Sequence, residues 1–281
     1  MSVFYTSSVE SLVKKMKVSR GRFIISRFSD GEINVKIKEP VHGRNVWVIA
    51  AANAPADNMI ELVLLLDALK RAGAKISLLI TYLGYARQDK PLPGEPLSAE
   101  VICHLLRTCR PSKVLVLHAH SARSKKFLRY QDIIPIEIYG PTLKGCDAII
   151  APDKGSASFA RSLAKRYSLE CQVMHKTRPK KEQVLMGPID GDVKGKQVLI
   201  VDDMVTTGKT LVAAARVLHK KGALKISALV THGVFAPGAM DLISKSPISN
   251  IYVTDSLPQG PHKKKVIIGI SSWIKQVMKA R

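Results

Sequence analysis

Residues 198–210 read VLIVDDMVTTGKT: four apolar positions, paired carboxylates, then hydroxyls, a glycine and a lysine. The apolar run reads as a buried strand. The LVAAARVLHKKG that follows repeats apolar residues at helical spacing as far as Gly222. The segment between them therefore lies where a strand ends and a helix begins. Backbone N–H groups in such a loop, together with the helix N-terminus, suit a phosphate. Asp202 and Asp203, one step earlier, can accept hydrogen bonds from sugar hydroxyls or approach a hydrated metal ion. The two grips side by side point to a sugar phosphate. Gly208-Lys209-Thr210 imitates the end of a P-loop, but Asp203 stands where that motif needs its first glycine.

Five further segments carry polar residues at similar places. Phe28-Ser29-Asp30-Gly31-Glu32 follows an apolar stretch and precedes the alternating INVKI, the pattern of a β-turn bearing two acids. Tyr85-Ala86-Arg87-Gln88-Asp89-Lys90 follows ISLLIT, and arginine with glutamine at a strand end suits phosphate oxygens and the edge of a base. His118 closes VLVLH, and Asp153 lies in Pro152-Asp153-Lys154-Gly155. Lys176-Thr177-Arg178-Pro179 follows CQVMH, with Lys180 and Lys181 reading as solvated surface.

The elements that must position these residues follow from apolar patterning. Runs at 46–51, 76–81, 113–118, 148–151, 198–201 and 226–230 read as strands. Amphipathic segments at 58–72, 99–108, 156–166 and 210–221 read as the helices between them. Alternation of this kind implies a parallel sheet covered on both faces, with ligands at the carboxyl ends of its strands. A glycine and a proline in YGPTLKG, near 138–144, mark a break between two similarly patterned halves. We therefore expect two α/β domains, 1–140 and 141–281, with a ligand site between them and a C-terminal helix at 272–279 that packs on either.

Composition narrows the class. With 46% hydrophobic residues the chain can bury a core, which excludes a disordered protein. No apolar stretch is long enough to span a bilayer, and MSVFYTSSVESLVKK lacks the pattern of a secretory signal. The four cysteines, Cys103, Cys109, Cys146 and Cys171, show neither metal-type pairing nor dense disulfide spacing, so a cytoplasmic protein is expected. The net charge of +22, from 44 basic and 22 acidic residues, suits phosphorylated substrates or a polyanion. Basic residues are spread along the chain without an aromatic-interleaved tract, so dedicated nucleic-acid binding is not expected.

VLIVDDMVTTGKT resembles the phosphoribosyl-pyrophosphate loop of the phosphoribosyltransferase fold. The FSDGE and YARQDK segments resemble the ATP-binding elements of the ribose-phosphate diphosphokinase family, the phosphoribosyl-pyrophosphate synthetases. That resemblance covers nearly the whole chain from about Arg27 and implies two tandem phosphoribosyltransferase-like domains, each a mainly parallel sheet flanked by helices. It implies an N-terminal domain that binds ATP through Phe28, Asp30, Gly31, Glu32, Arg87, Gln88 and His118. Ribose 5-phosphate would be held by Arg178, Asp202, Asp203, Thr206, Thr207, Gly208, Lys209 and Thr210 in the C-terminal domain. His118 and Asp153 match metal-associated positions, which implies Mg2+, and Lys176 and Arg178 match catalytic cations. The family segment at 28–32 reaches an adjacent subunit, so a homo-oligomer is implied, with each ATP site completed by a neighbour.

Several positions depart from the family pattern. Thr206 stands where many members carry an aspartate, and Lys209 where many carry a glycine. Val116 replaces an acid that often precedes the metal histidine. KPLPGEPLS lacks the arginines that shape a regulatory site in many bacterial members, and Pro-Asp-Lys-Gly looks more like the archaeal-type branch. Thr206 favours a phosphoribosyltransferase as the first alternative. A non-catalytic relative that senses phosphoribosyl pyrophosphate, or binds nucleic acid, is the second.

Overall fold

The computed structural model describes residues 2–180, 183–189 and 191–280, and of residues 175–180, 183–186 and 188 the backbone alone. The chain folds into two units. One comprises Met1–Ile134 with Ser256–Pro258 and Ser271–Arg281, the other Pro135–Asp255 with Gln259–Ile270.

The first unit opens with β1 (Val3–Tyr5), α1 (Glu10–Lys15) and an antiparallel pair, β2 (Phe23–Arg27) and β3 (Ile33–Ile37). It continues through β4 (Asn45–Ala51), α2 (Asp57–Arg71), β5 (Lys75–Tyr82), α3 (Ser98–Thr108), β6 (Lys113–Leu117) and β7 (Gln131–Ile133). Five strands form one parallel sheet in the order β1-β4-β5-β6-β7. Strands covered on both faces must be apolar throughout, and β4 is buried from Val46 to Ala51. On α2, Leu62, Leu65, Leu66 and Leu69 recur at helical spacing and are fully buried in the core with Val48, Leu78 and Ile80.

The second unit contains β8 (Ala148–Ala151), α4 (Ala157–Tyr167), β9 (Glu170–Lys180), β10 (Gln183–Ile189) and β11 (Gln197–Val205). Then come α5 (Lys209–Lys220), β12 (Lys225–Gly233), α6 (Ala239–Ser244), β13 (Ile248–Thr254) and β14 (Lys265–Ile268). Its seven strands run β10-β9-β8-β11-β12-β13-β14, parallel at every pairing except β10 with β9. Leu211, Val212, Ala215 and Leu218 of α5 pack against Ile200, Ala228 and Val230 in its core. The last helix, α7 (Ser271–Lys279), belongs to the first unit, where Lys275 Nζ donates to the Lys17 carbonyl at 3.1 Å. No helix among the described residues is long and apolar enough to cross a membrane.

One difference from the sequence reading bears on chemistry. The strand expected at 198–201 continues to Val205, so Asp202 and Asp203 are strand residues rather than loop residues. The reason is one-sided pairing. Registered pairing of β11 with β8 stops at Ile200, whereas β12 stays in register through Asp202↔Val230, Met204↔His232 and Val205↔Gly233.

Candidate active site

In the first unit, residues 28–32 close the β2–β3 hairpin. Phe28 N–H donates to the Glu32 carbonyl and Gly31 N–H to the Phe28 carbonyl, each at 2.9 Å. Gly31 sits at φ +94, a conformation that glycine adopts without Cβ strain. The Asp30 carboxylate accepts from Glu32 N–H at 3.1 Å, and Arg27 ties the turn to α2 through Asp57 at 2.7 Å. Phe28 is 56% exposed and Asp30 and Glu32 are also exposed, so the turn presents one ring and two acids outward.

The loop after β5 passes very close to the end of β4. A Cβ on Gly84 would lie 1.8 Å from the Ala52 carbonyl oxygen, so only glycine fits. Tyr85 then takes a left-handed φ of +62, and Arg87 is exposed. Gln88 has a structural duty: its side-chain oxygen accepts from Ser98 Oγ, and its carbonyl accepts from Ala99 N–H at 3.1 Å. Both contacts fasten the loop to the start of α3.

His118 leaves β6 at φ +41 and is 6% exposed. Its N–H donates to the Ile133 carbonyl at 2.9 Å, and the next N–H, of Ala119, donates to Asp132 Oδ1 at 2.9 Å. Burial pushes the Asp132 carboxyl above the ordinary aspartate range, against the pull of the Ala119 hydrogen bond. Asp132 thus shapes the histidine turn from β7, a role with no local sequence signal.

In the second unit, Asp153 follows β8. Its Oδ1 accepts from the N–H groups of Gly155 at 3.0 Å and Ser156 at 3.3 Å, the geometry that secures the entry to α4. Asp202 and Asp203 are half-buried at the end of β11. Desolvation raises the Asp202 carboxyl well above its usual range, and the charges of Asp203 and Asp153 raise it further. A carboxylate whose charge is disfavoured in this way suits a cationic or hydroxyl partner. Among the described residues no three His, Cys, Asp or Glu side chains gather as a ready-made metal cage.

Thr206, Thr207 and Gly208 connect β11 to α5. Gly208 has φ +77, and a Cβ there would lie 3.1 Å from Ile243 Cγ1 on α6. The Val212 N–H donates to the Gly208 carbonyl at 2.9 Å, which starts the helix, while Thr207 and Lys209 are exposed beside it. The first-turn amides of α5 therefore open onto this loop. Lys176 and Arg178 fall on β9, and their side chains lie outside the described residues.

Proteins of known identity align over most of the chain. A ribose-phosphate pyrophosphokinase of Ralstonia nicotianae is 36% identical over 89% of this chain and 82% of its own length. The chain belongs to the ribose-phosphate pyrophosphokinase family. Its namesake from Helicobacter hepaticus is 34% identical over 98% of this chain and 92% of its own. The family model for the N-terminal domain of ribose phosphate pyrophosphokinase matches residues 5–109, and that for the phosphoribosyl synthetase-associated domain matches residues 178–278. The crystal structure of phosphoribosylpyrophosphate synthetase from Mycobacterium smegmatis is similar at a TM-score of 0.87 and 26% identity. It covers 99% of this chain and 97% of that one. The expected α/β fold of the pyrophosphokinase family is thus the observed one.

Within each unit, most of the singled-out residues lie at or near strand exits or on the hairpin turn, whereas Lys176 and Arg178 lie within β9. One further segment of the same kind lies at the exit of β12. His232-Gly233-Val234-Phe235-Ala236 follows the apolar run of β12, the signal used for the other loops, and Phe235 has φ +43.

Proposed function

We propose that the chain transfers the β,γ-diphosphoryl group of ATP to the C1 hydroxyl of ribose 5-phosphate, giving 5-phosphoribosyl 1-pyrophosphate and AMP. The observation that carries this reading is a pair of dissimilar sites in one chain of the pyrophosphokinase family. The first unit offers an outward ring and acids with an Arg-Gln loop, and the second a hydroxyl-and-glycine loop at the N-terminus of α5. A transferase that consumes phosphoribosyl pyrophosphate needs only the second.

ATP is assigned to Phe28, Asp30, Gly31, Glu32, Arg87, Gln88 and His118. The exposure of Phe28 supports a hairpin that serves a neighbouring copy, in a homo-oligomer whose ATP sites are completed between subunits. The 5-phosphate is assigned to Thr206, Thr207, Gly208, Lys209 and Thr210 with Arg178, and the ribose hydroxyls to Asp202 and Asp203. A hydroxyl donating to Asp202 stabilises the charged form that the apo site disfavours, so substrate binding relieves carboxylate repulsion. Orientation of the C1 hydroxyl towards the β-phosphorus is then the main service of the loop. Lys176 and Arg178 are assigned to the charge that develops on the transferred phosphates.

Mg2+ fits this chemistry, and His118 and Asp153 are each assigned as a metal-associated position, directly or through water. A carboxylate and an imidazole supply few donors, which suits an ion that keeps several waters and arrives with its phosphates. When bound it neutralises charge on the phosphate chain.

AMP release from ATP, followed with and without ribose 5-phosphate, tests the proposal. AMP that appears only with the sugar phosphate, mole for mole with phosphoribosyl pyrophosphate, is the expected result. Thr206 favours one alternative, a phosphoribosyltransferase. Pyrophosphate released from phosphoribosyl pyrophosphate on adding a free base, with no AMP from ATP, would establish that activity instead.

A further inference from the structure

The segment Gly233-Val234-Phe235-Ala236, at the exit of β12, has no part in the assignments above. Its backbone nevertheless grips the root of the sugar-phosphate loop. The Val205 carbonyl accepts from Val234 N–H at 3.0 Å and Phe235 N–H at 3.2 Å, and the Thr206 carbonyl accepts from Ala236 N–H at 2.9 Å. Registered pairing with β8 ends at Ile200, so β12 and this segment hold the last turn of strand before the loop.

Phe235 has φ +43, a conformation that bulky residues take only where their surroundings impose it. The surroundings here are specific. Lys265 Nζ stands 4.6 Å from the centroid of the Phe235 ring, within cation–π range. The same Nζ lies 3.5 Å from Gln259 Oε1, and Gln259 Nε2 donates to the Gly233 carbonyl at 2.8 Å. A Cβ on Gly233 would lie 2.5 Å from Phe235 Cε2 and 2.9 Å from Gln259 Nε2, so ring and amide close over that glycine. Burial lowers the pKa of Lys265, as expected of an ammonium drawn into packing rather than left in water.

We propose that Lys265, Phe235 and Gln259 form a brace that positions the loop at 206–210 for ribose 5-phosphate. The brace acts through the Val205 and Thr206 carbonyls, and the three are positioning residues, not catalytic ones. This rests on the assignment of the loop to the sugar phosphate. A loosened brace lowers affinity for ribose 5-phosphate while the ATP loops of the other unit keep their own frame.

The test uses the full chain with Lys265→Met, Lys265→Arg and Phe235→Leu. Ribose 5-phosphate binding is measured by calorimetry, together with KM for each substrate and the thermal midpoint. Lys265→Met and Phe235→Leu are expected to weaken ribose 5-phosphate binding and raise its KM about tenfold, with KM for ATP unchanged and Lys265→Arg near wild type. Unchanged ribose 5-phosphate binding in both variants overturns the brace. So does a fall in thermal midpoint in which both KM values move together, the mark of a merely structural contact. A wild-type chain that binds no ribose 5-phosphate refutes the assignment of the loop itself, and the brace with it.

Discussion

Replacing Gly84 by alanine brings a methyl group to 1.8 Å from the Ala52 carbonyl oxygen and 2.9 Å from its carbon. Ordinary contact begins at 3.4 Å, so one backbone must retreat by about 1.6 Å. The end of β4 cannot easily give way. Ala50, Ala51 and Ala52 are fully buried, and Ala52 N–H donates to the Tyr82 carbonyl at 2.9 Å. The loop beyond Gly84 is mostly exposed and moves instead, taking Arg87 and Gln88 with it. A displacement of about 1 Å in positioning groups costs on the order of 10²-fold in rate. That corresponds to about 2.7 kcal/mol of transition-state stabilisation. Overpacking adds roughly 1–3 kcal/mol of lost stability. The assay is kcat/KM for ATP at saturating ribose 5-phosphate, with the thermal midpoint and calorimetric ribose 5-phosphate binding alongside. A low kcat/KM for ATP, a lowered midpoint and intact sugar-phosphate binding are expected. Wild-type kcat/KM and midpoint in Gly84→Ala would refute the steric reasoning.

Three further outcomes follow from the second unit. Asp202→Asn should inactivate the enzyme yet stabilise the free protein at neutral pH by on the order of 1 kcal/mol or more. The folded state raises the Asp202 pKa, so its stabilising contribution is present below the ordinary aspartate value and lost as pH rises through the raised one. The advantage of the variant in thermal melts should therefore shrink towards acid pH, and an advantage that grows there would contradict the sign. Gly208→Ala meets both φ +77 and Ile243 Cγ1 at 3.1 Å, and should cost roughly 1–2 kcal/mol by denaturant titration. An unchanged midpoint would count against the packing. Lys176→Ala should lose about 3 kcal/mol of transition-state stabilisation in the AMP assay, and an unchanged rate would remove Lys176 from the mechanism.

The central strands and long helices were legible because burial on both faces leaves continuous apolar runs, as in β4 and β12, and 3.6-residue periodicity marks α2 and α5. Short pieces such as β1 and β7 carry too few residues for any period to show. The extension of β11 to Val205 was hidden for a different reason: it depends on β12, which lies further along the chain. At the site, polar residues after apolar runs announced the loops, but not the side chains' duties. Gln88 and Asp153 both fasten helix entries, and an acid or amide that does so looks the same in sequence as one that meets a ligand. Asp132 beneath the His118 turn, and Phe235 beneath the loop at 206–210, act across separate strands, where no local pattern reveals them.

The return of α7 to the first unit sets an order on biosynthesis. Residues up to Ile134 emerge from the ribosome before any of the second unit, yet they lack Ser256–Pro258 and the helix that buries Ile274 and Met278. At ribosomal speeds of about 5–20 residues per second, that wait lasts roughly seven to thirty seconds. During it, the α1 surface that α7 will cover stays open to chaperones or to other nascent chains. The first unit to be made is thus the last to be finished.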